Sequence, residues 1–246
     1  MLDEHALIYA CIIGETRMTI THHTEFDQGS IQWHQARKGV ITASNVKHIL
    51  TPTLKVAAND KTRSYVYQLV ADRVTDFLEE GFESWDMRRG KQDEIYAREL
   101  YSETYEDVQQ CAFISNTIEG VDCGYSPDGV VGDDGLIEIK SRKTNLSIKD
   151  TMEFLHKGEV PKDDILQVQF GLLVSQRKWC DYIIYSGGIK MVKVRSVPIP
   201  EIQDAMIEAI KITEEKVVET MARYMEFSRD FPATEYRPFE DGEIIT

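Results

Sequence analysis

Residues 123 to 140 are the stretch that most constrains how this chain can fold. Two apolar segments flank Gly132-Asp133-Asp134-Gly135, a turn sequence in which glycine adopts positive φ without steric cost. The pattern therefore predicts a β-hairpin. Because side chains two residues apart in a strand share a face, Glu138 and Lys140 point together, and Ile139 points into a core.

In a plausible register this hairpin also brings Asp128 close to Glu138. Two carboxylates and one ammonium on a single face suit a hard divalent cation beside a water-polarising group. Strand alternation also produces such triplets by chance. On these residues alone, a surface hairpin with solvated charges is the favoured alternative.

The composition is that of a globular protein of a reducing compartment. The chain has 246 residues, of which 42% are hydrophobic, enough for one large α/β domain. No apolar run reaches the roughly eighteen residues of a spanning helix, and the apolar stretch at 7–13 lacks the flanks of a secretory signal. The four cysteines are far apart and show no CxxC spacing, which is typical of free thiols. We therefore expect a cytoplasmic protein.

The charge distribution favours a local anion-binding site. The net charge of −14 taken alone argues against a nucleic-acid partner. However, residues 37–63 carry six basic residues and one acidic residue, and residues 140–149 carry four basic residues and no acidic one. Two basic islands in an acidic chain suit a focused anionic site, although each island by itself is more often an ordinary solvated face.

The rest of the chain alternates between helical and extended patterns. We expect a strand or helix at 7–13, a loop through 22–23, helices at 33–37, after 42 or 44, and at 62–80, 87–102, 150–156, 165–174 and 198–227, and strands at 108–115, 179–185 and 190–197. Gly81 is expected to end the helix at 62–80, and Pro161 or Asp163 to begin the helix at 165–174.

A second candidate site surrounds Arg37. Thr42 or Ser44 is expected to cap the helix that follows it. Hydroxyls at a helix start, with exposed backbone N–H groups and a nearby arginine, can hold phosphate. A helix cap with a surface arginine explains the same residues about equally well.

Two polar residues lie in helices that otherwise seek burial. Glu94 shares its helix with Ile95, Ala97 and Leu100, so it can be carried inward, although an acid on such a helix is usually exposed. Gln167 lies in a strongly apolar helix, where an unpaired buried amide costs roughly 1–3 kcal/mol. Gln167 therefore needs a partner, either in a polar site or on the backbone.

Five segments, taken in order, resemble the lambda exonuclease family of phage recombination nucleases, also called YqaJ-type viral recombinases, within the PD-(D/E)XK nuclease superfamily. They are Trp33-His34-x-x-Arg37-x-Gly39-Val40-Ile41-Thr42-Ala43-Ser44, Gly90-Lys91-Gln92-x-Glu94, Ser126-Pro127-Asp128-Gly129, Glu138-x-Lys140 and Gln167-Val168-Gln169. Their order and approximate spacing agree across residues 26–185. No single segment is decisive, but five in the right order make a specific signal.

The resemblance implies an α/β, restriction-endonuclease-like fold with a central mixed β-sheet flanked by helices. It implies a single nuclease domain over 1–246, with its core at about 26–227 and an acidic C-terminal tail at 228–246. It also implies Mg²⁺ as the cofactor, with one or two ions per active site and Mn²⁺ as a substitute.

The resemblance also implies roles for individual residues. Asp128, Glu138, the Ile139 carbonyl and Glu94 correspond to metal ligands. Lys140 corresponds to the residue that orients or polarises the attacking water, and Gln167 completes the catalytic set. A further group matches positions that hold the 5′-terminal phosphate of DNA: Arg37, Ser44 and Ser126.

The implied activity is a Mg²⁺-dependent 5′→3′ exonuclease that degrades one strand of linear double-stranded DNA from 5′-phosphorylated ends. It would release mononucleotides and leave 3′ overhangs for recombination by single-strand annealing. The implied partners are linear duplex DNA, a single-strand annealing protein and further copies in a ring-shaped homotrimer, in the cytoplasm of a bacterial host cell. The alternatives are an endonuclease or other repair nuclease of the same superfamily, and a non-catalytic DNA-end-binding module.

Two segments depart from the family pattern. The loop at 51–60 leaves the DNA-contacting arginine of the family unassigned, with Lys55, Lys61 and Arg63 as replacements. The residues Ser141-Arg142 differ from the family pattern directly after the catalytic strand, so the path of the chain there is open.

Overall fold

The secondary structure is described in a computed structural model for residues 20–75, 77–78, 85–162 and 164–237. The helices are α1 (Ile31–Arg37), a 3₁₀ helix (Ala43–His48), α2 (Asp60–Val74), α3 (Trp85–Thr104), α4 (Thr144–Lys157), α5 (Ile165–Ser175) and α6 (Pro200–Ser228). The strands are β1 (Thr21–His23), β2 (Ile41–Thr42), β3 (Val108–Gln109), β4 (Phe113–Ile118), β5 (Val121–Tyr125), β6 (Gly129–Val131), β7 (Gly135–Ser141), β8 (Trp179–Tyr185) and β9 (Val192–Ser196).

The strands form two mixed sheets with helices packed against them. The first sheet has the order β1-β4-β5-β2, in which β2 runs parallel to β5 and the other neighbours are antiparallel. The second has the order β3-β6-β7-β8-β9, in which only β7 and β8 are parallel. This is the expected mixed α/β architecture, with the sheet divided into two.

Helix α5 packs against both sheets and the 3₁₀ helix. Its sequence is apolar on nearly all sides, and a helix of that kind is stable only when buried. Gly171 permits the close approach, because a Cβ at that position would lie 2.8 Å from the Tyr125 ring. As a result, Tyr125 and the polar residues of α5 lie in the same part of the core.

Strand β7 separates two apolar clusters by its alternating side chains. Leu136 belongs to the large cluster that includes α5 and α6, whereas Ile137 and Ile139 belong to a smaller cluster under α3. Ile139 therefore points into a core, as the period of two predicts.

Two predictions about the strands are wrong, and a third concerns residues that are not described. Residues 108–115 are not one strand, because β3 pairs in the second sheet and β4 in the first. The segment through His22-His23 is not a loop, since it pairs as β1 with Phe113–Ser115. The stretch 7–13 and Cys11 lie outside the described residues, and the three cysteines inside them are free and buried: Cys111, Cys123 and Cys180.

Several helix boundaries also differ from the expectations. Helix α2 ends at Val74 because Thr75 is extended, and Gly81 lies outside the described residues. The segment after Thr42 is a 3₁₀ helix without a side-chain cap. Helix α4 begins at Thr144, before 150. The N-cap position of α5 is Asp164 rather than Pro161, without a side-chain capping bond, and Asp163 is not described.

The expected burial of two apolar residues on α3 is also wrong. Ile95 and Leu100 are exposed, whereas Ala97 is buried. Within residues 20–75, 77–78, 85–162 and 164–237, no helix is both long and apolar enough to cross a membrane.

Asp181 on β8 is a buried carboxylate at the centre of an ion-pair network, whose cations Lys193 and Arg195 are partly exposed. Its carboxylate accepts hydrogen bonds from Tyr101 Oη at 2.7 Å, Lys193 Nζ at 3.0 Å and Arg195 Nε at 2.7 Å. Burial opposes the charge, but the bonds from Arg195, Tyr101 and Lys193 outweigh it and lower the pKa of Asp181.

We expect Asp181→Asn to destabilise the fold by about 3 kcal/mol at pH 7, because breaking a buried charge network leaves groups uncompensated. The difference from wild type should shrink as the pH falls below the unfolded-state pKa of about 3.9 and through the lower folded-state pKa of this group. Urea unfolding at several pH values measures both effects. Asp122→Asn, at an exposed strand position, is the control, and equal stability of the two variants at pH 7 would contradict the prediction.

Candidate active site and phosphate site

The hairpin predicted at 123–140 forms over its second half. Strands β6 and β7 are antiparallel, with Gly129 opposite Ile137, and Gly132 takes positive φ in the turn. The first half of the stretch belongs to β5 in the other sheet. The connection between them carries Asp128 beside β7, where Asp128 Oδ2 accepts a hydrogen bond of 2.5 Å from the backbone N–H of Ile139.

Glu138 is the most constrained side chain of this site. It is 2% exposed, and its Oε1 accepts hydrogen bonds from Lys140 Nζ at 2.7 Å and Gln167 Nε2 at 2.5 Å. Its Oε2 accepts a bond of 2.7 Å from Tyr125 Oη, and Lys140 Nζ also donates to Gln167 Oε1 at 3.0 Å. Three elements therefore fix one carboxylate, and the partner of Gln167 is this polar site rather than the backbone.

The charges at this site are strongly coupled. Burial raises the pKa of Asp128 well above its ordinary value, and the nearby charges of Glu138 and Glu94 raise it further. Burial likewise raises the pKa of Glu94. Burial disfavours the ammonium of Lys140, but the carboxylates of Glu138 and Asp128 outweigh this and raise its pKa. Lys140 is therefore a cation at neutral pH, and the carboxylates favour the approach of further positive charge.

The residues present fit a hard divalent cation. The carboxylates of Asp128 and Glu138 and the carbonyl of Ile139 are oxygen donors, which Mg²⁺ and Mn²⁺ prefer. The repulsion that raises the pKa of Asp128 is what such a cation would neutralise. In the parts of the chain that the structure describes, no three His, Cys, Asp or Glu side chains form a metal-binding group.

Helix α3 is fastened to this site by two contacts that sequence reasoning missed. Arg98 Nη1 donates to the carbonyl of Asp128 at 2.6 Å, and Ser141 Oγ donates to Asp93 Oδ2 at 2.5 Å. These contacts hold the helix that carries Glu94 against β7. Arg98 and Asp93 lie on an amphipathic helix on which charged residues are common, so the sequence does not indicate that these two face the site.

Arg142, directly after β7, takes part in an internal ion-pair network. Arg142 forms ion pairs with Asp150 and, at 2.6 Å, with Asp164, and Asp164 also accepts a bond of 2.6 Å from Tyr182 Oη. This network ties the end of β7 to the helices on either side. Arg142, one of the four cations of the second basic island, is therefore engaged inside the protein.

The three residues predicted to hold phosphate come together around one guanidinium. Arg37 Nη1 donates to Ser126 Oγ at 2.8 Å, and Nη2 donates to Ser44 Oγ at 3.3 Å. Trp33 stacks under Arg37, whose guanidinium carbon lies 4.3 Å from the ring centroid, and Trp33 Nε1 also donates to Ser126 Oγ at 2.9 Å. Burial lowers the pKa of Arg37 to about 10, so the group remains charged at neutral pH.

The two clusters are neighbours in the chain and in space. Ser126 belongs to the Arg37 cluster and Asp128 to the Glu138 cluster, and only Pro127 lies between them. Gln28 Nε2 donates to the Pro127 carbonyl at 2.8 Å, which fixes this connection. A phosphate beside Arg37 and a metal beside Asp128 would therefore be held at a constant separation.

The three basic residues named as replacements for the DNA-contacting arginine of the family lie in the loop after the 3₁₀ helix and on the first turn of α2. Arg63 pairs with Asp60 on the exposed first turn of α2, and Lys61 lies near His48. Lys55 is exposed in the loop after the 3₁₀ helix. Their contact with DNA stays a prediction.

Comparison with known proteins identifies a family over most of the site-bearing part of the chain. The sequence model of the YqaJ-like viral recombinase domain matches residues 32–178, which include every predicted site residue. No curated protein matches the chain significantly.

Solved structures give a consistent result. A crystal structure of LHK-Exo in complex with dAMP is 27% identical, with a TM-score of 0.70 over 82% of this chain and 100% of that chain. A second crystal structure, of the alkaline exonuclease LHK-Exo from Laribacter hongkongensis, is also 27% identical, with a TM-score of 0.63 over 80% of this chain and 100% of that chain. A phage-related exonuclease from Haemophilus somnus 129PT shares the fold, at 10% identity and a TM-score of 0.53 over 75% of this chain and 96% of that chain.

Proposed function

This chain belongs to the YqaJ-like viral recombinase family, and we propose that it is a Mg²⁺-dependent exonuclease that degrades linear double-stranded DNA from 5′-phosphorylated ends in the 5′→3′ direction. A nuclease function follows from the family and from the likeness to an alkaline exonuclease. The observation that carries the finer proposal is the adjacency of the Asp128–Glu138–Lys140 cluster to the Arg37–Ser44–Ser126 cluster.

The first cluster supports phosphodiester hydrolysis. Asp128, Glu138 and the Ile139 carbonyl would hold the cation. Glu94 lies close enough to Asp128 for its charge to raise the pKa of that carboxyl. A bound divalent ion lowers the pKa of coordinated water and stabilises charge on phosphate oxygens. Tyr125 and Gln167 keep the Glu138 carboxylate in a fixed orientation through their hydrogen bonds.

Lys140 is suited to hold the attacking water. Its ammonium has three N–H donors, of which two are directed to Glu138 and Gln167. The third remains for a water or a phosphate oxygen at the reaction centre. As a cation, Lys140 polarises that water and opposes the negative charge that develops on the phosphate.

The second cluster supports selection of the DNA end. Arginine binds phosphate through a planar pair of N–H donors, and Ser126 and Ser44 hold the Arg37 fork in place. A terminal 5′-phosphate bound there would set the first phosphodiester over the metal site. The family further supports a ring-shaped homotrimer, a single-strand annealing partner and a role in phage-type recombination, which we include in the proposal.

We expect linear duplex DNA labelled at its 5′ ends to release the label as a mononucleotide before a 3′ label is released, and only with Mg²⁺ or Mn²⁺ present. Gel and thin-layer time courses with each label measure this, and EDTA should stop the reaction. Closed circular duplex is the control substrate and should stay intact.

Other results would identify a different function. Nicking of the closed circle would indicate an endonuclease. Early release of the 3′ label would reverse the polarity. Binding of ends without metal-dependent release would indicate an end-binding module.

A further inference from the structure

A cavity of about 250 Å³ lies beside Arg37, between α1, the 3₁₀ helix and α2. Its wall includes Arg37, Thr42, Asn45 and Tyr65. One water needs only about 10–15 Å³ of such space, so the cavity is large enough for a phosphate group. The cavity therefore opens space next to the guanidinium of the proposed phosphate site.

Tyr65 is the unexplained group in this wall. Its side chain is 7% exposed, and the Tyr65 O–H finds no hydrogen-bond acceptor among the described residues, whereas the backbone N–H of Thr42 lies near the hydroxyl oxygen. A buried hydroxyl without a partner costs roughly 1–3 kcal/mol, and such groups are rare in native proteins. A ligand that accepts a hydrogen bond in the cavity would remove that cost.

The hydroxyl is a donor that stays protonated. Burial raises the pKa of Tyr65, so its proton is retained at neutral and alkaline pH. The acidic residue of the wall, Asp72, already accepts hydrogen bonds from Gln68 Nε2 at 2.8 Å and the Gly39 N–H at 3.4 Å. Lys38, also in the wall, donates to the Thr75 carbonyl. Tyr65 and Arg37 therefore present donors to the cavity, whose wall also includes His34 and Asn45, and this set of donors suits an anion rich in acceptor oxygens.

We propose that Tyr65 is a specificity-determining residue of the 5′-phosphate site, where its O–H donates to an oxygen of the terminal phosphate held by Arg37. This inference rests on the proposed function. A 5′-hydroxyl end offers no oxygen at this place and leaves Tyr65 unpaired. Tyr65 thus contributes to the preference for phosphorylated ends, and its unpaired hydroxyl in the free protein is the energetic cost of that preference.

The test compares Tyr65→Phe with Tyr67→Phe, an exposed tyrosine two residues further along the same helix. Binding of 5′-phosphorylated and 5′-hydroxyl duplex ends is measured by fluorescence anisotropy in EDTA, so that no cleavage occurs. We expect Tyr65→Phe to weaken binding of the phosphorylated end about tenfold, since a hydrogen bond to a charged group is lost. Binding of the hydroxyl end should not change, and Tyr67→Phe should match wild type at both ends.

A melting measurement separates this role from a structural one. Because the Tyr65 O–H has no acceptor in the part of the chain that the structure describes, its removal should leave the melting temperature unchanged or raise it. With metal present, the loss should appear in KM for phosphorylated ends and not in kcat. A lowered melting temperature, or equal loss of affinity for both ends, would assign Tyr65 to the fold and overturn the inference.

Arg37→Ala tells apart failure of the inference and failure of the proposed function. If Arg37→Ala loses the discrimination between the two ends and Tyr65→Phe keeps it, the phosphate site stands and the role of Tyr65 is wrong. If Arg37→Ala discriminates as wild type does, the phosphate site itself is wrong and the inference fails with it.

Discussion

Lys140→Ala is expected to lower the rate of phosphodiester cleavage by about 10³-fold while duplex ends are still bound. Loss of one preorganised group that stabilises developing charge or handles the attacking water costs this order of rate. Lys140 is such a group because it bonds both Glu138 and Gln167 and keeps its charge next to Asp128. Single-turnover cleavage with Mg²⁺ measures the rate, and anisotropy in EDTA measures binding.

A second variant distinguishes loss of the chemical step from loss of folding. Lys140→Gln keeps a donor for the buried Glu138 carboxylate but removes the positive charge, and it should lose activity to a similar extent. Lys143→Ala changes an exposed lysine three residues further on and should cleave as wild type does. Cleavage by the folded Lys140 variants within tenfold of wild type would show that Lys140 has no part in the chemical step.

Arg37→Ala is expected to reduce the preference for 5′-phosphorylated over 5′-hydroxyl ends by about 100-fold. The variant loses two donors to a charged acceptor, each worth roughly 1.5–3 kcal/mol at most, and part of this is recovered by water. The ratio of kcat/KM for the two ends measures the preference. Arg37→Lys should fall between wild type and alanine, because lysine keeps the charge but not the planar fork.

The control for Arg37 is another arginine outside the cluster. Arg223→Ala changes an exposed arginine paired with Glu219 on α6, and the end preference should stay that of wild type. If Arg37→Ala lowers kcat/KM equally for both ends, Arg37 binds DNA generally and does not select the terminal phosphate.

The parts of the site that could be predicted from the sequence are those set by local rules. Turn glycines and a period of two place Glu138 and Lys140 together and send Ile139 to the opposite face. The hydroxyls near Arg37 were likewise visible, because helix starts carry a recognisable composition. The ordered segments then supplied the family, and with it the residues to compare.

The remaining features depend on contacts between distant residues, which leave no local pattern. Tyr125 gave no sign of its bond to Glu138 across a sheet boundary, because a tyrosine at the end of a strand is expected in any core. The division of 108–115 into two strands follows from pairing with partners in different sheets. Arg142 belongs to a basic island in the sequence, but its ion pairs with Asp150 and Asp164 neutralise its charge inside the protein.

The three-residue connection from Ser126 to Asp128 has a consequence for the size of what is cut off. Consecutive Cα atoms are about 3.8 Å apart, so the two anchoring side chains start less than about 8 Å from each other, comparable to the gap between adjacent phosphates along a strand. Under the proposed function, this connection would set the distance from the bound terminal phosphate to the bond that is cut at one nucleotide. One glycine inserted into the connection would make this distance variable, and dinucleotides would then appear among the products.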